Sequence, residues 1–297
     1  MSDTSVRPLN KEILEMEGKD NLILQTIPAI STINTGLFHA GDKTNVFSFG
    51  FAPQTVARLG IFVAKKNNVE RAVMMLLPQS GKPDGILICV TQKFGQAGKA
   101  LNPLGWAKPL APGVIKFALL KHVVNRWGPQ MLASRKNLAL VYILREQGAN
   151  ELGPFASDGK FFADVIKQIV ELTNNAFSTD VVEAFTFSSG IYDFNQFTMA
   201  VGKYLPINTV YSIDPANSML AANSSGGRIK QFASGAVGGI LPGFEPMPLP
   251  RWENEELYND LQVKIKQHPG IADHEGREYL HNTTMPKYTL YLALNTA

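Results

Sequence analysis

The chain of 297 residues has little cysteine, little excess charge of either sign and no long apolar run. Its single cysteine, Cys89, excludes an internal disulfide and a cysteine-rich zinc site. A net charge of +3 is too small to favour nucleic acid as a partner. No run reaches the about 18 apolar residues of a membrane-spanning helix. Residues 1–20 lack the apolar core of a secretory signal, so we expect a cytoplasmic protein.

The first part of the chain has the composition of short antiparallel strands. We interpret residues 1–20 as a polar leader with a helical turn near 11–17, followed by a single domain over 21–297. Segments rich in β-branched and aromatic residues alternate there with Gly, Pro, Asn and Asp, which predicts consecutive strands. An Asn67-Asn68 pair between two of them predicts a hairpin turn. The strands are predicted at 21–27, 45–51, 58–64 and 71–77.

The rest of the chain alternates largely apolar runs with segments of helical period. Such runs are typical of strands covered on both faces, and they lie at 85–90, 138–144, 181–187 and 209–213. Apolar residues recur at three- and four-residue spacing over 162–170 and 191–201, which predicts helices between the strands. We therefore predict an α/β fold: a mostly parallel central sheet flanked by helices, with antiparallel strands on its N-terminal side.

Other regions carry less regular patterns. Residues 96–130 contain a loop rich in Gly, Pro and Lys and a predicted helix over 113–127. This region is compatible with a cap over a site or with packing on the edge of the sheet. The segment 223–250 is rich in Gly and Pro and contains a predicted strand at 228–233. Further helices are predicted at 253–266 and 286–295.

The most informative local sequence is the strand-to-helix junction at 181–190, VVEAFTFSSG. If Ser188 lies at the turn, strand and helix crowd the residues two before and two after it, so both must be small. Gly190 meets this requirement, and Thr186 meets it in part. A serine so placed projects its hydroxyl above the sheet, and the helix N-terminus behind it favours developing negative charge.

This junction resembles the nucleophile elbow of the α/β-hydrolase superfamily, G-x-S-x-G, with Thr186 in place of the first glycine as in some lipases. The resemblance covers about residues 45–297 and implies Ser188 as the nucleophile. The segment 210–217, VYSIDPAN, is similar to the I-D-P-A segment of the pancreatic-lipase group. It implies Asp214 as the triad acid, at the sheet edge where α/β folds place their sites. A structural Asp-Pro turn is the alternative for Asp214.

The order of the superfamily, Ser then acid then His, implies a histidine late in the chain. Catalytic histidines of the superfamily sit on a loop leading to the last helix, which favours His281, with His274 as the rival. The superfamily builds its oxyanion hole from the amide after the nucleophile, here that of Ser189, and from the loop after the third strand. That loop corresponds to residues 91–95, where Gln92 or Lys93 would donate and the customary His-Gly pair is missing.

Taken together, the resemblance implies a serine hydrolase of carboxylic esters, esterase- or lipase-like, that works through a Ser-His-Asp triad and an acyl-enzyme. A thioesterase or an amidase fits the same residues. We expect no cofactor and no metal, and a small-molecule ester as the partner; a homo-oligomer stays open.

Two rivals belong to other functional classes. One is a non-catalytic α/β-hydrolase-fold protein used for binding or assembly, which Thr186 and the missing His-Gly pair favour. The other is a Rossmann-like binding module with an antiparallel extension. A sheet without the strand-to-helix turn at Ser188 would indicate the second rival.

Overall fold

A computed structural model describes residues 4–32, 49–90, 110–134, 136–144, 152–215, 226–233, 245–246 and 285–295. Its strands are β1 (Thr4–Pro8), β2 (Ile23–Thr32), β3 (Phe49–Lys66), β4 (Val69–Pro78), β5 (Gly85–Val90), β6 (Leu138–Ile143), β7 (Val181–Phe187), β8 (Thr209–Ile213), β9 (Arg228–Ala233) and β10 (Glu245–Pro246). Its helices are α1 (Asn10–Leu14), α2 (Pro112–Ala118), a π-helix (Leu119–Trp127), α3 (Gly128–Ala133), α4 (Pro154–Ser157), α5 (Gly159–Leu172), α6 (Ile191–Val201) and α7 (Met285–Asn295).

All of these strands belong to one mixed sheet, in the order β1-β3-β4-β6-β5-β7-β8-β9-β10, with β2 also paired to β3. The strands β1 to β4 pair in antiparallel fashion, and β4 is antiparallel to β6. From β6 through β10 the neighbours are parallel. The predicted α/β fold, with antiparallel strands on the N-terminal side of a mostly parallel sheet, is therefore confirmed.

Helices cover both faces of the sheet, and side chains alternate between the two faces along each strand. On one face, Leu87 and Cys89 pack with α2, the π-helix, α3 and α7. On the other face, Ile86 and Ile88 pack with α4, α5 and α6. Because neither face meets water, the central strands are the apolar runs that the sequence predicts.

Most predicted elements have the predicted type, and several strands have the predicted bounds. β5, β7, β8 and β9 coincide with the predicted strands, and α6 coincides with the predicted helix. The hairpin at Asn67-Asn68 is also present: Lys66 pairs with Val69, and Asn67 has a φ of +53°. The helix predicted at 286–295 is α7.

Two predicted strands, 45–51 and 58–64, were wrong as separate elements, since residues 49–66 form the single strand β3. Pro53 suggested a break, but a shift of register between Ile27 and Ala29 of β2 absorbs it within the strand. Gly60 lies inside the predicted strand 58–64 and inside β3; a Cβ there would lie 2.8 Å from the Phe62 ring, so glycine makes room for that ring.

The N-terminal stretch and the region before β6 also differ from expectation. Residues 4–8 of the predicted polar leader form β1 at an end of the sheet, where side chains alternate between partly buried and exposed. The helical turn expected near 11–17 is α1. The single helix predicted over 113–127 is α2 followed by the π-helix, and α3 continues it. The helix predicted over 253–266 lies outside the described residues.

Candidate active site

The sharp strand-to-helix turn predicted at Ser188 is present. β7 ends at Phe187, a single 3₁₀ turn spans Ser188–Gly190, and α6 begins at Ile191. Ser188 has a φ of +56° and is 8% exposed. A serine with a left-handed backbone between strand and helix is the geometry in which a nucleophile elbow presents its hydroxyl at the sheet edge.

Asp214 ends the neighbouring strand in a similar way. It directly follows β8, its φ is +45°, and it is 1% exposed. Its backbone N–H donates to the carbonyl of Phe232 on β9 at 2.8 Å, which holds the strand end against the next strand. Pro215 then follows, and because proline has no N–H it cannot continue the ladder.

The register of the sheet places these two residues side by side. β7 and β8 are parallel, and Phe187 pairs with Ile213 as the last pair of the ladder. Ser188 and Asp214 therefore occupy the next position on each strand. Neighbouring strands lie about 4.8 Å apart, so the two residues leave the same sheet edge within a short distance of each other.

Burial distinguishes Ser188 and Asp214 from other residues of unusual backbone conformation. Among the described non-glycine residues with positive φ, these two alone are buried. The others are exposed or half-buried residues of turns and caps: Glu15, Asp20, Asn21, Asn67, Asn174 and Asn175. A strained backbone costs about 1–3 kcal/mol and persists where the surroundings enforce it, which occurs often at functional sites.

Aromatic packing supports the end of β7 from the opposite face of the sheet. The buried ring of Trp127, from the π-helix, packs edge-on against Phe185 at 5.1 Å between centroids. The same ring lies 5.7 Å from Phe187, the residue before Ser188. The end of β7 that leads into the turn at Ser188 therefore packs on a buried aromatic cluster.

His122, within the π-helix, packs in the core. It is buried, and its ring stacks on Tyr142 at 5.7 Å between centroids. Burial holds the pKa of His122 well below its usual range, and the nearby cations Arg126 and Lys121 lower it further. Cys89 is buried as well, and burial raises the pKa of its thiol.

A polar cluster that sequence reasoning missed lies at the opposite end of the strands. Glu183 pairs in register with Thr209, the first residue of β8. The buried Glu183 carboxylate accepts from the Tyr211 hydroxyl at 2.9 Å and forms an ion pair with Lys136. Burial and the Glu183 charge raise the pKa of Tyr211. The available signal was a lone glutamate within the apolar run 181–187.

The remaining predicted site residues lie outside the described part of the chain. They are His281, His274, Gln92 and Lys93. The third triad member and one oxyanion donor therefore remain predictions. Of Ser189 the structure describes the backbone, which lies in the 3₁₀ turn. No cluster of three or more His, Cys, Asp or Glu suited to a metal ion occurs among the described residues. Nor is any described helix long and apolar enough to cross a membrane.

Comparison with known proteins gives structural neighbours alone. No protein-family model and no curated protein matches the chain. A fungal esterase from Rhizomucor miehei is similar over 54% of this chain and 44% of its own, at 12% identity and a TM-score of 0.36. A thermostable esterase from Pseudomonas putida is similar over 56% and 45%, at 10% identity and a TM-score of 0.31.

A third neighbour is a protein of unknown function from Agrobacterium tumefaciens, described as a candidate α/β hydrolase. It is similar over 70% of this chain and 79% of its own, at 16% identity and a TM-score of 0.34. The chain spans less than half the length of the two esterases. Likeness of this degree does not extend to activity. The α/β architecture rests instead on the chain's own mixed sheet, in which the turn at Ser188 and Asp214 follow neighbouring strands.

Proposed function

We propose that the chain is a serine hydrolase of carboxylic esters in which Ser188 is the nucleophile and Asp214 the triad acid. One observation carries this proposal: both residues follow the last paired position of neighbouring parallel strands, and both are buried and have left-handed backbones. An Asp-Pro turn with a purely structural role needs neither the burial nor a serine at the matching position.

His281 completes the proposed triad. It precedes α7 by four residues, a span that the extended backbone limits to about 14 Å. α7 packs against β8, the strand that ends at Asp214, and against the π-helix and α3. His274 precedes α7 by eleven residues and is much less restricted. The position of His281 on the segment that leads into the last helix, where the superfamily places its histidine, therefore favours it as the base.

The three residues divide the work of ester cleavage. The Ser188 hydroxyl attacks the ester carbonyl carbon while the His281 imidazole takes its proton. The carbon–oxygen bond to the alcohol then breaks, the alcohol leaves with that proton, and an acyl-Ser188 remains. Water, deprotonated by the same imidazole, hydrolyses the acyl group. Asp214 orients the imidazole and stabilises its cationic form.

The negative charge of the tetrahedral intermediate needs donors at the same sheet edge. The backbone N–H of Ser189 is one, because the residue lies in the turn that opens α6. The positive end of this helix dipole adds to the stabilisation. Gln92 or Lys93 supplies the second amide. One such donor contributes about 10²–10³ in rate.

Labelling with a fluorophosphonate probe tests the proposal, since the probe reacts with an activated serine. We expect one adduct on the peptide that contains Ser188, located by mass spectrometry, and no adduct in Ser188→Ala. Ser189→Ala is the matched control: it keeps the backbone amide and the turn, so it should be labelled. Asp214→Asn should slow labelling by about 10⁴-fold, because it removes the charge that orients the imidazole.

Comparison of His281→Ala with His274→Ala identifies the base. The variant of the true base should lose labelling, and the other should keep it. If the wild-type protein unfolds cooperatively but is not labelled, the proposed serine hydrolase activity is contradicted. A non-catalytic protein, in which the turn at Ser188 persists without an activated serine, is then favoured.

A further inference from the structure

Two buried hydroxyls lie directly beneath the candidate active site. Thr186 on β7 and Ser212 on β8 are paired in register, and both are fully buried. Each precedes its candidate catalytic residue, Ser188 or Asp214, by two positions. Within the described residues, neither the Thr186 Oγ1 atom nor the Ser212 Oγ atom has a hydrogen-bond partner.

Both hydroxyls belong to the face of the sheet that α5 and α6 cover. Side chains alternate along a strand, so Thr186 shares the face of Ala184, and Ser212 shares the face of Val210. On the other flank of Thr186 the register partner is Val90, which is apolar. Val90 offers Thr186 no side-chain partner, so the neighbouring polar side chain in its row is Ser212.

Buried polar groups in folded proteins are nearly always hydrogen-bonded, either to protein or to ordered water. The backbone groups around the two hydroxyls are engaged in the ladders of a parallel sheet. Two hydroxyls on adjacent strands can together supply two of the roughly three hydrogen bonds that an internal water makes. We infer that Thr186 Oγ1 and Ser212 Oγ hold one internal water molecule between them.

This water would join the two strand ends that carry the site. A bridge between β7 and β8 at this level fixes the spacing of the strands two residues before the backbone turns at Ser188 and Asp214. Thr186 and Ser212 are then positioning residues; this part of the inference rests on the proposed function. It also gives Thr186 a purpose at the place where the elbow pattern usually has glycine.

Thermal unfolding of Thr186→Val tests the bridge, because valine keeps the shape and removes the hydroxyl. If the Thr186 hydroxyl is bonded to water, its removal destabilises the folded protein, and the Tm should fall by about 2–4 °C. If the hydroxyl has no partner, its removal stabilises the folded protein, and the Tm should rise. Thr173→Val is the matched control, since the buried Thr173 hydroxyl donates to the Ile169 carbonyl at 2.8 Å and its loss must lower the Tm.

A double-mutant cycle shows whether the two hydroxyls share one water. We expect Ser212→Ala to lower the Tm as well, and the double variant to lower it by less than the sum, because the water is lost once. Additive effects, or a Tm raised by either single change, would overturn the inference. A high-resolution crystal structure should show density for one water about 2.6–3.2 Å from both oxygens; a direct contact between the hydroxyls, or an empty space, would refute it.

The labelling rate of Ser188 separates this inference from the proposed function. If both hold, Thr186→Val should slow labelling by the fluorophosphonate severalfold while Thr173→Val leaves it unchanged. If the wild type is not labelled at all, the proposed function fails, but the Tm differences and the density for the water still decide the bridge.

Discussion

The left-handed backbone of Ser188 predicts an unusual order of stability among its variants. At an ordinary helical or extended position, glycine is less stable than alanine by about 0.5–1 kcal/mol because the unfolded glycine chain is freer. At a φ of +56°, the Cβ of alanine costs about 1–2 kcal/mol that glycine avoids. Taken at their midpoints, the two terms make Ser188→Gly more stable than Ser188→Ala by about 0.75 kcal/mol.

Urea and thermal unfolding of the two variants measure this difference directly. Both variants lack the hydroxyl, so whatever Ser188 bonds to is lost equally in each, and the backbone term remains. We expect the Tm of Ser188→Gly to exceed that of Ser188→Ala by about 1–4 °C. At the exposed position Met199 within α6, the pair Met199→Gly and Met199→Ala should show the reverse order by about 1 kcal/mol. If the alanine variant were the more stable of the pair at both positions 188 and 199, the strained backbone at Ser188 would be refuted.

Two further predictions concern the scaffold. Burial and Arg126 hold the pKa of His122 far below that of a histidine in the unfolded chain. The folded protein should therefore lose stability as pH falls below about 6.5. His122→Phe should reduce that loss, which urea midpoints measured from pH 7 to 5 would show. Asp158 caps α5 by accepting from the Phe161 N–H at 3.0 Å and pairs with Lys66; Asp158→Ala should cost about 1–2 kcal/mol, and an unchanged urea midpoint would contradict this role.

The central strands could be predicted from sequence because burial on both faces leaves an unmistakable apolar run. β5 and β8 lie in the middle of the parallel part, and their predicted bounds agree with the structure. The pattern does not hold at the N-terminal side. β1 buries its residues only in part, so its sequence has the composition of a polar leader. In β3, the proline that normally ends a strand sits at an irregularity of the ladder.

Some residues of the candidate site could be predicted from the local sequence, and others depend on contacts between distant parts of the chain. Ser188 could be predicted because strand, turn and helix are contiguous, and the crowding at the turn restricts the residues around it. Asp214 was indicated by the resemblance of its segment to I-D-P-A together with its place at the end of an apolar strand. A histidine on a late loop has no such local constraint, so residue spacing leaves both His281 and His274 open. The ion pair of Glu183 with Lys136 joins residues far apart in sequence, which no local pattern encodes.

The burial of Asp214 bears most directly on whether the elbow is a remnant or an active site. A carboxylate in a surface turn keeps its water, and Asp-Pro turns are common for that reason. Removing a carboxylate from water is costly unless charged or hydrogen-bonding groups replace the water, so the 1% exposed Asp214 depends on groups around it that a surface turn does not need. A triad acid must be shielded in this way, because its charge acts on the imidazole most strongly away from solvent. The buried Asp214 beside a strained Ser188 therefore favours a functional site over a turn with a purely structural role.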